Sequence, residues 1–210
     1  MGYSKILTIR ANADKNIRIL EPTAGYGALV NAVVKARNAH GMNQGYTIEM
    51  IEMNPDSRLV LQAAQDELKG VMSLQEQTNF LTYISNEQYD MIVMNPPFHL
   101  KKKFSKLPVD IWDGDFIAKA YTLLKPGGEI LAIATSKAFD LSHNSLTRAK
   151  KTKTKVGAMD LSHFNMPPPE CVYVEREYKA HRWKPGEGGK GATLTLTFNM
   201  YRITKPVQEI

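Results

Sequence analysis

From Asn16 to Thr135 the chain alternates short apolar runs with longer amphipathic stretches. Asn16 to Leu20 (Asn-Ile-Arg-Ile-Leu) has the length of a short buried strand and ends at Glu21. A turn follows, and Ala28 to Ala39 then sets Leu29, Val30, Val33, Val34 and Ala36 at helical spacing. Tyr46 to Met53 reads as a second strand and Pro55 to Leu68 as a second helix, with Asn54 or Asp56 placed to cap it. Val71 to Gln75 reads as a third strand and Tyr89 to Met94 as a fourth. Asp115 to Leu124 is expected to be helical, stopped by Lys125-Pro126-Gly127-Gly128 ahead of a fifth strand, Glu129 to Thr135. Strands and helices alternating at this pace predict an α/β fold built on a doubly wound, mostly parallel sheet.

Towards the C-terminus the pattern changes. Cys171 to Tyr178 and Thr193 to Ile203 mix β-branched and aromatic residues in rough alternation, separated by Gly186-Glu187-Gly188-Gly189-Lys190-Gly191. This predicts an antiparallel pair closing one edge of the sheet. Asp140 to Pro169 is polar and basic, then Met-Pro-Pro-Pro, with no clear period; it is expected to be a loop over the site or an inserted helix that contacts the target. No repeat and no second domain is evident, so residues 1–210 read as one domain.

Composition narrows the class. A chain of 210 residues, 43% hydrophobic and 23% charged, has the profile of a folded domain with a full core. Cys171 is the only cysteine, which excludes an intrachain disulfide and a cysteine-based zinc cluster. No signal-like or membrane-spanning apolar stretch is present, and the expected location is cytoplasmic. The formal net charge of +6 favours a polyanionic partner. Lys101, Lys102 and Lys103 crowd behind Phe98, and Arg148, Lys150 and Lys151 open a second basic cluster. Basic runs are commonly no more than solvated surface; the first of these adjoins the loop richest in chemistry, which points to phosphate contact.

That loop is Asn95-Pro96-Pro97-Phe98, expected at the carboxyl end of a buried parallel strand, where open α/β sheets bind ligands. Its prolines remove two backbone donors and narrow the φ range, leaving a stiff loop with one amide and one flat ring. Such a loop suits a planar, amine-bearing group, although Asn-Pro is also an ordinary exit from a strand. The other strand ends bear on the choice. In Glu21-Pro22-Thr23-Ala24-Gly25-Tyr26-Gly27 the glycines let backbone approach a ligand, and a carboxylate stands by to hold a cationic amine. Val30 occupies the place of the third glycine of a dinucleotide fingerprint, and Glu21 would repel a pyrophosphate. Glu52, with Met53 beside it, is placed to accept both hydroxyl hydrogens of a ribose, and Asn79-Phe80 offers an amide and a ring to an adenine. An amino-acid tail, a ribose and an adenine in that order describe S-adenosylmethionine.

With these motifs the chain resembles the class I S-adenosylmethionine-dependent methyltransferases of the amino-methylating group. The shared features are an acidic-x-x-x-Gly-x-Gly motif (Glu21 to Gly27), an acidic second strand end (Glu52) and an Asn-Pro-Pro-aromatic loop (Asn95 to Phe98). Pro126-Gly127-Gly128 matches as well, and the resemblance covers residues 16 to 136. It implies a Rossmann-like seven-stranded sheet with a C-terminal antiparallel hairpin, S-adenosyl-L-methionine as cofactor, no metal, and methylation of the exocyclic N6 amine of adenine, in DNA ahead of RNA. It also implies roles: the Asn95 side-chain oxygen and the Pro96 carbonyl accept the amine hydrogens, and Phe98 stacks on the base. Asn79 departs from the pattern, since many relatives carry Asp there. Asn-Pro-Pro-Phe-His further resembles ribosomal-RNA guanine-N2 methyltransferases, so an RNA substrate stays open, as does a catalytically silent binding subunit. No segment is long enough for a separate recognition domain. A short or relaxed target site, or a specificity partner, is expected.

Overall fold

The computed structural model of the chain describes residues 16–39, 41, 45–68, 70–76, 78–100, 111–135, 167, 170–182 and 192–207. Lys101, Lys102, Lys103, Arg148, Lys150 and Lys151, and the segment 140–169 apart from Pro167, lie outside the described residues. In chain order come β1 (Ile17–Glu21), α1 (Ala28–Ala39), β2 (Tyr46–Met50), α2 (Pro55–Glu67), β3 (Met72–Leu74), a single 3₁₀ turn (Phe80–Thr82) and β4 (Tyr89–Met94). A two-stranded ribbon, β5 (His99–Leu100) with β6 (Ile111–Trp112), leads into α3 (Asp113–Thr122), β7 (Leu124–Ala134), β8 (Glu170–Arg182) and β9 (Ala192–Thr204). Seven strands make one sheet in the order β3-β2-β1-β4-β7-β9-β8. Its first five strands are parallel, and β9 runs antiparallel to both β7 and β8. The α/β reading with a closing hairpin therefore holds.

The central strands are apolar on both faces because helices cover both. Ile17, Ile19, Met91, Val93 and Leu131 join one core with Val30 and Val33 of α1 and Leu61 of α2. Leu20, Ile92, Met94, Ile130 and Ala132 join the other with Phe116, Ile117, Ala120 and Tyr121 of α3. Asn54 caps α2, its Oδ1 accepting from the backbone N–H of Asp56 (2.8 Å) and Ser57 (3.3 Å).

Several boundaries differ from expectation, β8 running on to Arg182 among them, and three of the differences have a visible cause. β2 ends at Met50 rather than Met53, since beyond it the Ile51 N–H donates to the Glu21 carbonyl (3.0 Å) and the chain turns towards the end of β1. α3 starts at Asp113 rather than Asp115. The Asp115 carboxylate accepts the Trp112 N–H (2.7 Å), closing a turn earlier than apolar periodicity alone shows. β7 starts at Leu124 rather than Glu129, with its register on β4 slipping between Tyr89 and Met91. Lys205 holds the bulge: it accepts from the Gly127 N–H (2.8 Å), donates its own N–H to the Gly128 carbonyl (2.9 Å), and bonds the Leu124 carbonyl through Nζ (2.7 Å).

Gly128 is the tight point of this bulge. A Cβ there would lie 2.9 Å from the Asp90 carbonyl oxygen and 3.0 Å from both Leu124 Cγ and the Lys125 carbonyl oxygen. Gly128→Ala is expected to destabilise the fold by about 1–3 kcal/mol. The urea midpoint should drop at unchanged slope, and an unshifted midpoint would show that the bulge yields freely.

Candidate active site

β1, β2, β4 and β7 are parallel, so their carboxyl ends share one edge of the sheet, and the candidate residues gather there. Glu21 closes β1 and is only 1% exposed. Its Oε1 accepts from the N–H and the hydroxyl of Thr23, both at 3.1 Å. Its Oε2 is buried and has no hydrogen-bond partner among the described residues. Burial pushes the carboxyl up to about 8, against the two Thr23 hydrogen bonds and with a smaller push from the charge of Glu52. Gly25 (φ +53°) and Gly27 (φ +82°) both adopt left-handed backbone, and a Cβ on Gly27 would meet Leu61 Cδ2 at 3.2 Å. The two glycines of the motif are thus required by the turn itself.

Glu52 stands two residues past β2 and joins the first loop to the second. Its Oε2 accepts the Gly25 N–H (2.7 Å) and its Oε1 the Asn54 N–H (2.6 Å). The Ala24 N–H donates to the Ile51 carbonyl (3.0 Å), a second stitch between the same loops. Each oxygen of Glu52 keeps further lone-pair capacity for a hydroxyl hydrogen. Arg58 was not singled out from the sequence. Its Nη1 donates to the carbonyls of Glu52 (3.1 Å) and Gln75 (3.0 Å), tying the ends of β2 and β3 together. Met53 is 57% exposed beside Glu52, an open apolar surface on the edge.

At the third strand end the arrangement departs from the expected one. Phe80 is 2% exposed and stacks on Phe116 at 6.3 Å between centroids, so its ring belongs to the core and not to an open wall for adenine. Asn79 turns its Oδ1 back to the Leu81 N–H (3.1 Å), capping the 3₁₀ turn, which leaves its amide N–H₂ as the group with donors to offer. The placement follows from Phe80 lying within reach of α3, which the local sequence does not show.

After β4, Asn95 and Pro97 are exposed, Pro96 is buried and Phe98 is half-buried. Phe98 packs, with Leu29 of α1 and Val172 of β8, on a patch made by Ile133 of β7 and Met200 of β9. Behind the loop lies Asp113, fully buried and also unforeseen from the sequence. Its Oδ2 accepts both the N–H and the hydroxyl of Thr135 (2.8 Å each), its Oδ1 accepts the Gly114 N–H (3.0 Å), and its own N–H donates to the Phe98 carbonyl (3.4 Å). Burial raises its carboxyl and the Thr135 hydrogen bonds oppose the rise. Asp113 therefore joins the end of β7, the start of α3 and the exit of the Asn95–Phe98 loop. Its one sequence signal is an acidic residue in a first helical turn, which is too common to single it out. Among the described residues no group of His, Cys, Asp and Glu is placed to hold a metal, and no helix is long and apolar enough to cross a membrane.

Residues 4–158 match the model of the methyltransferase small domain. The chain belongs to that family. Its cofactor is S-adenosyl-L-methionine. A type II methyltransferase from Thermus thermophilus is 27% identical over 216 residues, covering 92% of this chain and 45% of its own length. The chain thus spans less than half of that relative. Two solved structures share the methyltransferase fold. One, provisionally named a class I S-adenosylmethionine-dependent methyltransferase of Listeria monocytogenes, has a TM-score of 0.59 at 14% identity and covers 93% of this chain and 55% of its own. The other, provisionally named an RNA methyltransferase of Pyrococcus horikoshii, has a TM-score of 0.56 at 16% identity and covers 93% and 76%. At these identities the likeness is one of fold.

The methyltransferase edge fits its cofactor chemically. A buried carboxylate oxygen without a donor among the described residues suits a cationic group, and two carboxylates on one edge suit a ligand rich in donors, not a pyrophosphate. Because Glu21 ordinarily titrates at 4.5 but near 8 when folded, the folded protein holds an extra proton between those values. The stability of the cofactor-free protein should therefore fall as pH rises from about 4.5 to about 8. Glu21→Gln should flatten that slope in urea titrations across the window; identical slopes in both proteins would mean that the carboxylate titrates as a solvated group.

Proposed function

We propose that this methyltransferase transfers the methyl group of S-adenosyl-L-methionine to the exocyclic N6 amine of adenine in DNA. The observation that carries the reading is Asn95, an exposed amide in a proline-stiffened loop on the same strand-end edge as Glu21 and Glu52. When bound, the cofactor supplies an electrophilic methyl group. Glu21 would hold its ammonium, with Pro22, Thr23, Ala24, Gly25 and Gly27 shaping the turn around its amino-acid part. Glu52 would take the ribose hydroxyls, Met53 would lie against the adenine, and Asn79 and the Phe80 backbone would meet its polar edge.

The target amine is a poor nucleophile because its lone pair is delocalised into the ring. Acceptors on both of its hydrogens, the Asn95 Oδ1 and the Pro96 carbonyl, would favour a pyramidal nitrogen and localise that pair. The proton turns acidic once nitrogen bonds carbon, so the loop needs no strong base, and positioning supplies most of the acceleration. Pro97 stiffens the loop. Phe98, braced on one side by Ile133 and Met200, would offer its remaining surface to the base, a contact of roughly 1–3 kcal/mol. A base in a duplex must swing out to reach it.

The likeness to a type II methyltransferase favours DNA. Lys101, Lys102, Lys103, Arg148, Lys150 and Lys151 would then serve phosphate contact, with target choice resting on a short site or on a specificity partner. RNA is the second reading, favoured by His99 directly after Asn-Pro-Pro-Phe. Labelled cofactor offered to unmethylated DNA, total RNA and protein, with mass spectrometry of the digests, decides between them. N6-methyladenine in DNA is expected, and label confined to RNA or protein would refute the DNA reading. Asn95→Ala should lower turnover by at least about a hundredfold, by analogy with removal of one transition-state hydrogen bond. Cofactor affinity should stay within a factor of about two, below the worth of one hydrogen bond. Turnover surviving in Asn95→Ala would remove the amide from the chemistry. Reversing the charge of Lys101, Lys102 and Lys103 together should flatten the dependence of log binding constant on log salt by about 0.9 per lost duplex phosphate contact. An unchanged slope would take them out of the interface.

A further inference from the structure

We infer that Asp113 is a positioning residue for methyl transfer: tied to the end of β7, it sets the place and tilt of the Asn95–Phe98 loop. The inference rests on the amine-binding reading of that loop and concerns a residue outside its motif. β5 and β6 pair antiparallel, with His99 opposite Trp112 and Leu100 opposite Ile111. The same register brings Asp113 opposite Phe98, and the Asp113 N–H donates to the Phe98 carbonyl at 3.4 Å. The ribbon thus leaves the loop at Phe98 and returns to it at Asp113.

The Asp113 side chain carries the tie on to the sheet. It is fully buried, its Oδ2 taking the N–H and hydroxyl of Thr135 (2.8 Å each) and its Oδ1 the Gly114 N–H (3.0 Å). A carboxylate out of water depends on these donors, so they fix where it sits. Thr135 directly follows β7 and stands two residues beyond Ile133, against which the Phe98 ring packs. Phe98 is therefore held to one short stretch of chain twice, by its ring on Ile133 and by its main chain through Asp113 on Thr135. Two attachments fix a tilt that one would leave free. The fully buried Ile111, and the Trp112 N–H bonded to Asp115 (2.7 Å), seat the returning strand. Only Pro96 and Pro97 separate Phe98 from Asn95, and their narrow φ range passes a shift at Phe98 on to the amide. A displacement of about 1 Å with a remote cause can cost roughly a hundredfold in rate. Asp113 acts through Phe98 and Asn95 and not on the reacting atoms.

The test uses the full chain. Asp113→Asn keeps the size but puts an N–H₂ where a donor now points, so either Thr135 or Gly114 loses its acceptor. Thr135→Val removes one hydroxyl donor, and Thr135→Ser keeps it. Gly128→Ala, which strains β7 at the bulge away from Thr135, is the control for lost stability alone. Hydrogen exchange with mass spectrometry reads the amides of Phe98 to Leu100, titration reads cofactor affinity, and labelled cofactor with unmethylated DNA and total RNA reads turnover. Asp113→Asn should speed loop exchange at least about tenfold, the worth of one hydrogen bond to a charged group. It should lower kcat at least about tenfold, with cofactor affinity held within a factor of about two. Thr135→Val should do both to a smaller degree, and Thr135→Ser should match the wild type. Gly128→Ala, compared at equal fraction folded, should change neither. Loop exchange unchanged in both Asp113→Asn and Thr135→Val overturns the inference. So does an equal loss of turnover in Gly128→Ala, because Asp113 would then serve stability alone. A loop loosened as expected in a protein that labels neither nucleic acid would keep the tie and remove the proposed activity; methyl transfer with a loop indifferent to Asp113 would do the reverse.

Discussion

Glu21 ends a strand buried on both faces, and one of its carboxylate oxygens lies out of water without a donor among the described residues. An ionised group in that position is strongly unfavourable, and the protein lessens the penalty by keeping the proton up to about pH 8. The neighbouring Glu52 cannot relieve it, since it brings another negative charge. A cationic group brought by a ligand would relieve it as well. By charge alone, such an edge favours a ligand bearing an ammonium over one bearing a pyrophosphate. That constraint separates the site from the dinucleotide sites of similar sheets, whose glycine turn Gly25 and Gly27 otherwise approximate.

The remaining edge is held in place by polar contacts between loops more than by apolar packing. Gly25 and Asn54 both donate to Glu52, Ala24 donates to Ile51, and Arg58 spans the ends of β2 and β3. Beside the Asn95–Phe98 loop Asp113 does the equivalent, gathering donors from Thr135 and Gly114. Each bond satisfies a backbone group that a loop would otherwise leave to water. These contacts tie the loops to one another, and catalysis by positioning needs loops so held.

Much of this was legible in the sequence, and the misses share one physical cause. The strands could be read because double burial makes them continuous apolar runs, as in Tyr89 to Met94. The turn could be read because left-handed backbone at Gly25 and Gly27 leaves few residue choices. Glu49 could not. It is a charged strand residue, but its Oε2 accepts from Tyr89 (2.7 Å), Gln75 (3.2 Å) and Tyr83 (3.4 Å), and Arg18 pairs with its other oxygen. Those partners stand between 26 and 40 residues from it along the chain. Asp113 with Thr135 and Phe80 with Phe116 were hidden in the same way. Local patterns reveal burial and turn geometry; they do not reveal which distant partner makes a polar or aromatic residue acceptable inside.

Phe98 extends that lesson to function. Its ring rests on Ile133 and Met200, so the aromatic surface of the Asn-Pro-Pro-Phe loop has its floor on β9. β9 lies outside residues 4–158, the part of the chain that matches the family. The matched part thus contains the strand-end edge, the loop and Ile133, while Met200 and Val172, the rest of the surface around the ring, come from the C-terminal hairpin. A change in that hairpin can alter how a planar substrate meets Asn95 without touching either motif. Substrate preference can therefore diverge between two chains that share the family's motifs residue for residue.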